Sequence, residues 1–260
     1  MSKIRLNSLG LRKFLPWSSS LTRLFHFRSY HKQETEVFGI PFLNLTGISG
    51  KDPRGLYYNQ IADYGFGFVL TGPFSERSGK SELKSAISEI LKNKPKTRIG
   101  AILSNAAHFD EEMIGKDFLA SFSMLYDFVD FFLVEMFSTN PDSIEEIIDE
   151  LVSLRLCYEE YKPVVIKLPK GILDEDADAV LANARISGID GIAAYGPDQA
   201  GRLVSLTQGR LPIIGISESA DPEEGKRILD GGASLIMYES LSPRAARKAA
   251  KSLLKGREKS

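Results

Sequence analysis

At 260 residues the chain is long enough for one large domain, and 43% hydrophobic with 26% charged residues is ordinary for a globular protein. A net charge of −1 removes the electrostatic reason to expect a nucleic-acid partner. One cysteine, Cys157, cannot close an internal disulfide, and the scattered His26, His31 and His108 offer no metal-ligand spacing, so no metal is expected. Cys157 falls in a helical pattern and reads as a small core hydrophobe.

The first 36 residues stand apart. No acid precedes Glu34, while Lys3, Arg5, Arg12, Lys13, Arg23, Arg28 and Lys32 alternate with Leu9, Leu11, Phe14, Leu15, Trp17, Leu21, Leu24 and Phe25. Pro16 and the serines at 18–20 interrupt the unbroken run of about 7–15 apolar residues that a secretory signal needs. A spanning helix needs about 20 apolar residues, which the segment lacks. A basic amphipathic segment on an anionic membrane surface fits, and so does an arm docked on its own domain. An organellar transit peptide shares the same character. The expected location is the cytoplasm, with peripheral membrane contact through residues 1–36.

From Phe42 the pattern alternates between short apolar runs and helical spacing. Phe42 to Ser49 reads as a strand, Leu56 to Tyr64 as a short helix, and Phe66 to Gly72 as a second strand. A helix over Ser81 to Lys92 follows, with Leu83, Ile87, Ile90 and Leu91 on one face. Arg98 to Leu103 is the third strand, Phe118 to Phe128 an aromatic-rich helix, and Asp130 to Ser138 the fourth strand. Ser143, with Glu146 three residues on, reads as a capping box opening a helix over Ile144 to Tyr161. Val164 to Leu168 is the fifth strand, and Asp174 to Ser187 its helix. The sixth and seventh strands are Ile189 to Tyr195 and Leu211 to Ser217, with helices over Pro197 to Gln208 and Asp221 to Asp230. Ser234 to Tyr238 is the eighth strand, and Pro243 to Leu254 the last helix.

Eight strand–helix units in series predict an α/β fold of the (β/α)8 barrel type spanning residues 37–256, between the basic segment 1–36 and a polar tail 257–260. In such a barrel the reacting groups lie at the carboxyl ends of the strands. Those ends carry Ser49, Gly50, Lys51, Ser104, Asn105, Glu135, Ser138, Asn140, Lys167, Tyr195, Gly215, Ser217, Glu218, Tyr238 and Glu239. Lys167 is the most informative. Inside the apolar run VVIKL it either points into the barrel mouth or breaks a buried face, and desolvating it unpaired costs several kcal/mol. Glu135 reads equally as the partner of a lysine or as a catalytic carboxylate. A Schiff base on Lys167 is a minor option that requires a depressed lysine pKa.

The run VFGIPFLNLTGISGKD resembles the opening of dihydroorotate dehydrogenases, V-F-G-L-x-F-x-N-P-x-G-L-A-A-G-x-D-K. RLPIIGIS and GASLIMYES are similar to that family's R-x-P-I-I-G-V-G-G-I and G-A-S-L-V-Q-x-Y-[ST]-G, with KPVVIKLP and GIDGIAAY between them. The resemblance covers about residues 37 to 254, and the basic segment is similar to the membrane-docking region of the quinone-linked branch. It implies a barrel that holds flavin mononucleotide (FMN), oxidises dihydroorotate to orotate in pyrimidine biosynthesis and passes electrons to a quinone. It implies Ser138 as the catalytic base, Asn140 and Lys51 as substrate-binding, and Lys51, Lys167, Gly215 and Tyr238 as flavin-binding.

Several positions depart from that pattern. Glu135 replaces the first asparagine of N-x-S-S-P-N, Ser217 and Glu218 replace paired glycines, and Glu239 and Ser240 replace a serine or threonine and a glycine. Tyr195 and Gly196 stand for a Thr-Asn pair, and the segment 71–79 is too short to carry the family's orotate-gripping loop. Three readings follow: a flavin oxidoreductase of the dihydroorotate type, a barrel that keeps the flavin or another phosphate-bearing ligand but acts on a different substrate, and a binding or regulatory barrel without redox activity. Glu218 and Glu239 discriminate between them. Pointing into the mouth they oppose a phosphate, and pointing to solvent they do not.

Overall fold

The computed structural model describes residues 34–49, 61, 64–74, 84–88, 97–104, 111–135, 141–171, 188–239 and 242–257, the side chains of 111–116 and 141–144 excepted. Eight parallel strands close into a barrel: β3 (Thr46–Ser49), β4 (Phe68–Phe74), β5 (Arg98–Ser104), β6 (Phe131–Glu135), β7 (Val164–Lys167), β8 (Gly191–Tyr195), β9 (Ile213–Ser217) and β10 (Leu235–Glu239). β10 pairs with β3 to complete the ring. Helices α1 (Glu111–Leu125), α2 (Pro141–Arg155), α3 (Gly196–Thr207), α4 (Pro222–Asp230) and α5 (Pro243–Arg257) lie outside the sheet.

The strands are short apolar runs because both faces are covered. Phe131 and Leu133 belong to the barrel interior with Phe68, Leu70, Val165, Ile214, Ile216 and Met237. Phe132 and Val134 pack outward against helices, with Phe122, Leu125 and Ile148. This two-residue alternation fixes which side chains reach the mouth.

Ahead of the barrel an antiparallel hairpin, β1 (Thr35–Val37) and β2 (Ile40–Phe42), closes its amino end. Phe42, expected in the first barrel strand, instead belongs to this floor. Asn44 makes the break: its side-chain oxygen accepts bonds from the Thr46 amide and hydroxyl, and its amide donates to the Gly65 carbonyl.

Other boundaries move for local reasons. Ser143 lies inside α2 rather than capping it, since the helix already begins at Pro141, a residue whose fixed φ suits a first turn. The same helix stops at Arg155 instead of Tyr161, so Cys157 lies in the following turn, exposed, and is not a core hydrophobe. The helix expected over Asp174 to Ser187 lies outside the described residues, as does nearly all of the one over Leu56 to Tyr64. Among the described residues no helix is long and apolar enough to cross a membrane.

Candidate functional site at the barrel mouth

The in–out alternation carries Ser49, Ser104, Glu135, Lys167, Tyr195 and Glu239 to the interior face at the carboxyl end, each two residues beyond an interior position. Glu135 lies in register with both Ser104 and Lys167, and Glu239 with Ser49. The uppermost layer of an otherwise apolar interior is therefore polar.

Lys167 is its centre and is only 3% exposed. Its ammonium donates to Glu135 Oε1 at 2.8 Å and to Glu239 Oε1 at 3.0 Å. It also lies 5.0 Å from the centre of the Tyr195 ring, whose hydroxyl makes a long contact of 3.4 Å to the other Glu239 oxygen. Burial pulls the lysine pKa down, but hydrogen bonds to Glu135 and Tyr195 and the charges of Glu135 and Glu239 outweigh it and hold it above the ordinary value. The group is thus a fixed ammonium. A Schiff-base lysine needs the opposite shift, so that option falls. Glu135 is a partner of the lysine. Ser49 Oγ, buried one strand away from Glu239, has no hydrogen-bond partner among the described residues.

The two discriminating acids part company. Glu239 points inward onto Lys167. Glu218 turns outward to an exposed pair with Lys170, which spreads its charge into solvent and contributes little.

A second polar cluster, which sequence reasoning missed, lies at the start of α4. Asp221 caps the helix by accepting from the Glu223 amide at 3.0 Å. Glu224 Oε2 accepts from both Ser217 Oγ, at 2.6 Å, and Ser219 Oγ, at 2.5 Å. The signal was present as two serines one residue apart, followed by an acidic first turn. Gly215 and Tyr238 belong to this side of the sheet and point away from the mouth into the helix layer. A Cβ on Gly215 would lie 2.0 Å from Ile228 of α4, so the glycine permits close strand–helix packing. The Tyr238 hydroxyl is buried, has no partner among the described residues, and lies 2.7 Å from where a Cβ on Gly225 would be. Desolvation first, then the charges of Asp221 and Glu224, raise its pKa.

Ser138, Asn140 and Lys51 lie outside the described residues. No group of His, Cys, Asp and Glu among the described residues converges as a metal site.

The chain is thus a closed (β/α)8 barrel with a charged cluster at its carboxyl-end mouth. No protein-family model matches it. Its sequence is similar over most of its length to curated proteins named dihydroorotate dehydrogenase (quinone). That of Christiangramia forsetii is 24% identical, covering 87% of this chain and 85% of the relative. That of Synechococcus sp. is 23% identical, covering 88% and 82%. Among solved structures, the ligand-free dihydroorotate dehydrogenase of Eimeria tenella superposes with a TM-score of 0.73 at 12% identity, covering 91% of both chains. The same enzyme with ferulenol gives 0.72, covering 93% of this chain and 91% of that one. The resemblance read from the motifs therefore extends across the barrel, and the chain is distantly similar to the quinone-linked dihydroorotate dehydrogenases.

The described residues do not fit the flavin that this resemblance implies. A flavin ring beside Lys167 would meet an ammonium two of whose three donors, and whose charge, are already taken by carboxylates. A phosphate at the start of α4 needs open donors, and Glu224 and Asp221 have taken the hydroxyls and an amide there. Two acids would also face its negative charge.

Proposed function

We propose that this chain is a dihydroorotate-dehydrogenase-like barrel that binds a small polar molecule at its mouth and does not run flavin redox chemistry. The observation that carries this reading is the double pairing of Lys167. An ammonium bound by Glu135 and Glu239 is charge-neutralised within the protein, so it has little left to offer a flavin ring or an anionic substrate. The polar layer supplies the recognition groups: the Ser49 hydroxyl, unpaired among the described residues, Ser104, and the phenol and ring face of Tyr195. The reading places the protein in the cytoplasm, with residues 1–36 as its point of peripheral membrane contact.

A second reading is favoured by the sequence likeness and by the position of Lys167 itself. In it the chain is an FMN-dependent oxidoreductase that converts dihydroorotate to orotate with a quinone as acceptor. Ser138 takes the substrate proton, Asn140 and Lys51 hold the substrate, and Lys51, Lys167, Gly215 and Tyr238 contact the flavin.

One assay separates the two. The full-length protein, supplied with FMN, dihydroorotate and a soluble quinone, is followed for orotate. The first reading expects no turnover above a protein-free control. Orotate formation that depends on both protein and FMN would sink it and establish the second.

A further inference from the structure

The start of α4 is built as an anion cradle. Its nine-residue helix opens on Pro222, which has no N–H, Asp221 takes the Glu223 amide with its side chain and the Gly225 amide with its carbonyl, and two seryl hydroxyls from the end of β9 and the following bend converge on the same turn. A third donor, the buried Tyr238 hydroxyl, lies against the same turn without a partner among the described residues. In this chain the anion is supplied internally. Both seryl hydroxyls donate to one oxygen of Glu224, a residue of the helix itself.

We propose that Glu224 is a built-in occupant of this cradle, an intramolecular carboxylate that keeps phosphate and phosphate-bearing ligands out. The inference rests on the flavin-free reading above and extends it to the phosphate end. A carboxylate carried by the helix is held there at an effective concentration no free anion matches. A phosphate would have to displace it and leave its charge facing the incoming one. Asp221 adds to the exclusion by taking a first-turn amide at the cap. Tyr238 fits the same account. It lies in register with Ser217 on the neighbouring strand, and its buried hydroxyl has no partner among the described residues while Glu224 accepts from the serines.

The test compares wild type with Glu224→Ala and Glu224→Gln. Thermal unfolding is measured in inorganic phosphate and in sodium chloride at matched ionic strength, and FMN binding is read by quenching of its fluorescence. Wild type is expected to show the same Tm in both salts and no quenching. Glu224→Ala opens the cradle, so phosphate raises its Tm by about 2–4 °C over chloride. Glu224→Gln removes the charge while keeping an acceptor for the serines, and is expected to gain part of that response. It is the safeguard if the alanine variant folds poorly. A wild-type protein that phosphate stabilises as much as the variants overturns the proposal, as does a folded glutamine variant with no gain. Those failures leave the flavin-free reading standing, whereas FMN uptake by wild type defeats that reading.

Discussion

The two ends of the barrel use buried charge in opposite ways. At the amino end each acid clamps structure. Asp130 accepts from the Ile99 amide and from Arg98, which also donates to the Pro41 carbonyl of the hairpin. Asp190 accepts from the Val164 amide, from Arg155 and from the Tyr161 hydroxyl. Every partner is a backbone amide, an arginine or a phenol, so these carboxylates pin strand starts to neighbouring elements. At the carboxyl end, Glu135 and Glu239 come from two strands and meet on one lysine through side-chain hydrogen bonds. Charge at the floor fixes the barrel, and charge at the mouth occupies a site.

The contrast makes graded predictions. The largest effect is expected at the floor, where Phe42 packs edge-to-face on Phe68 and Phe131 with ring centres 5.7 and 6.1 Å apart. Phe42→Ala should cost about 3–5 kcal/mol, read as a loss of urea-unfolding free energy. Arg155→Ala comes next. It leaves Asp190 facing the interior without its guanidinium and should cost about 3 kcal/mol in the same measurement.

At the mouth, Lys167→Met alone should also cost about 3 kcal/mol, because it strands two carboxylates against each other. The sharper comparison is the combined Glu135→Leu, Lys167→Met, Glu239→Leu variant. An ion cluster that occupies a site without pinning the backbone can be replaced by apolar groups at little cost, so this variant should match wild-type stability or exceed it by about 1–4 kcal/mol. A triple variant less stable than Lys167→Met would show the mouth cluster to be as structural as the floor.

The smallest effect concerns pH at the floor. Partial desolvation, then the hydrogen bond and charge of Asp190, push the Tyr161 phenol up to about 12 from 10.0. A raised folded-state pKa favours the neutral phenol. The stability it contributes is fully present below pH 10 and is lost as pH rises towards 12. Tyrosinate absorbance should show, among the late-titrating phenols, one near that value that moves earlier in Asp190→Ala, whereas mouth substitutions should leave it in place.

The barrel was legible because its strands are apolar runs of about equal length separated by helical spacing, a local pattern that needs no tertiary knowledge. Lys167 was legible for the converse reason, a charge where the pattern demanded none. Its pairing with Glu135 follows once β6 and β7 are neighbours in register. Glu239, 72 residues further along the chain, reaches it only because the sheet closes into a ring, and no local signal encodes that. The floor was misread at Phe42, where an Asn44 turn diverts the chain into a hairpin although the apolar pattern runs on. Glu224 was invisible because an acid in the first turn of a helix is ordinary, and only its two seryl partners distinguish it.

The most direct test of a mouth and cradle filled by the protein's own carboxylates is the absorbance spectrum of the purified full-length protein after incubation with excess FMN and removal of the free cofactor. The account predicts a colourless protein with tyrosine and tryptophan absorbance alone. Retained flavin absorbance, at one cofactor per chain, would contradict it.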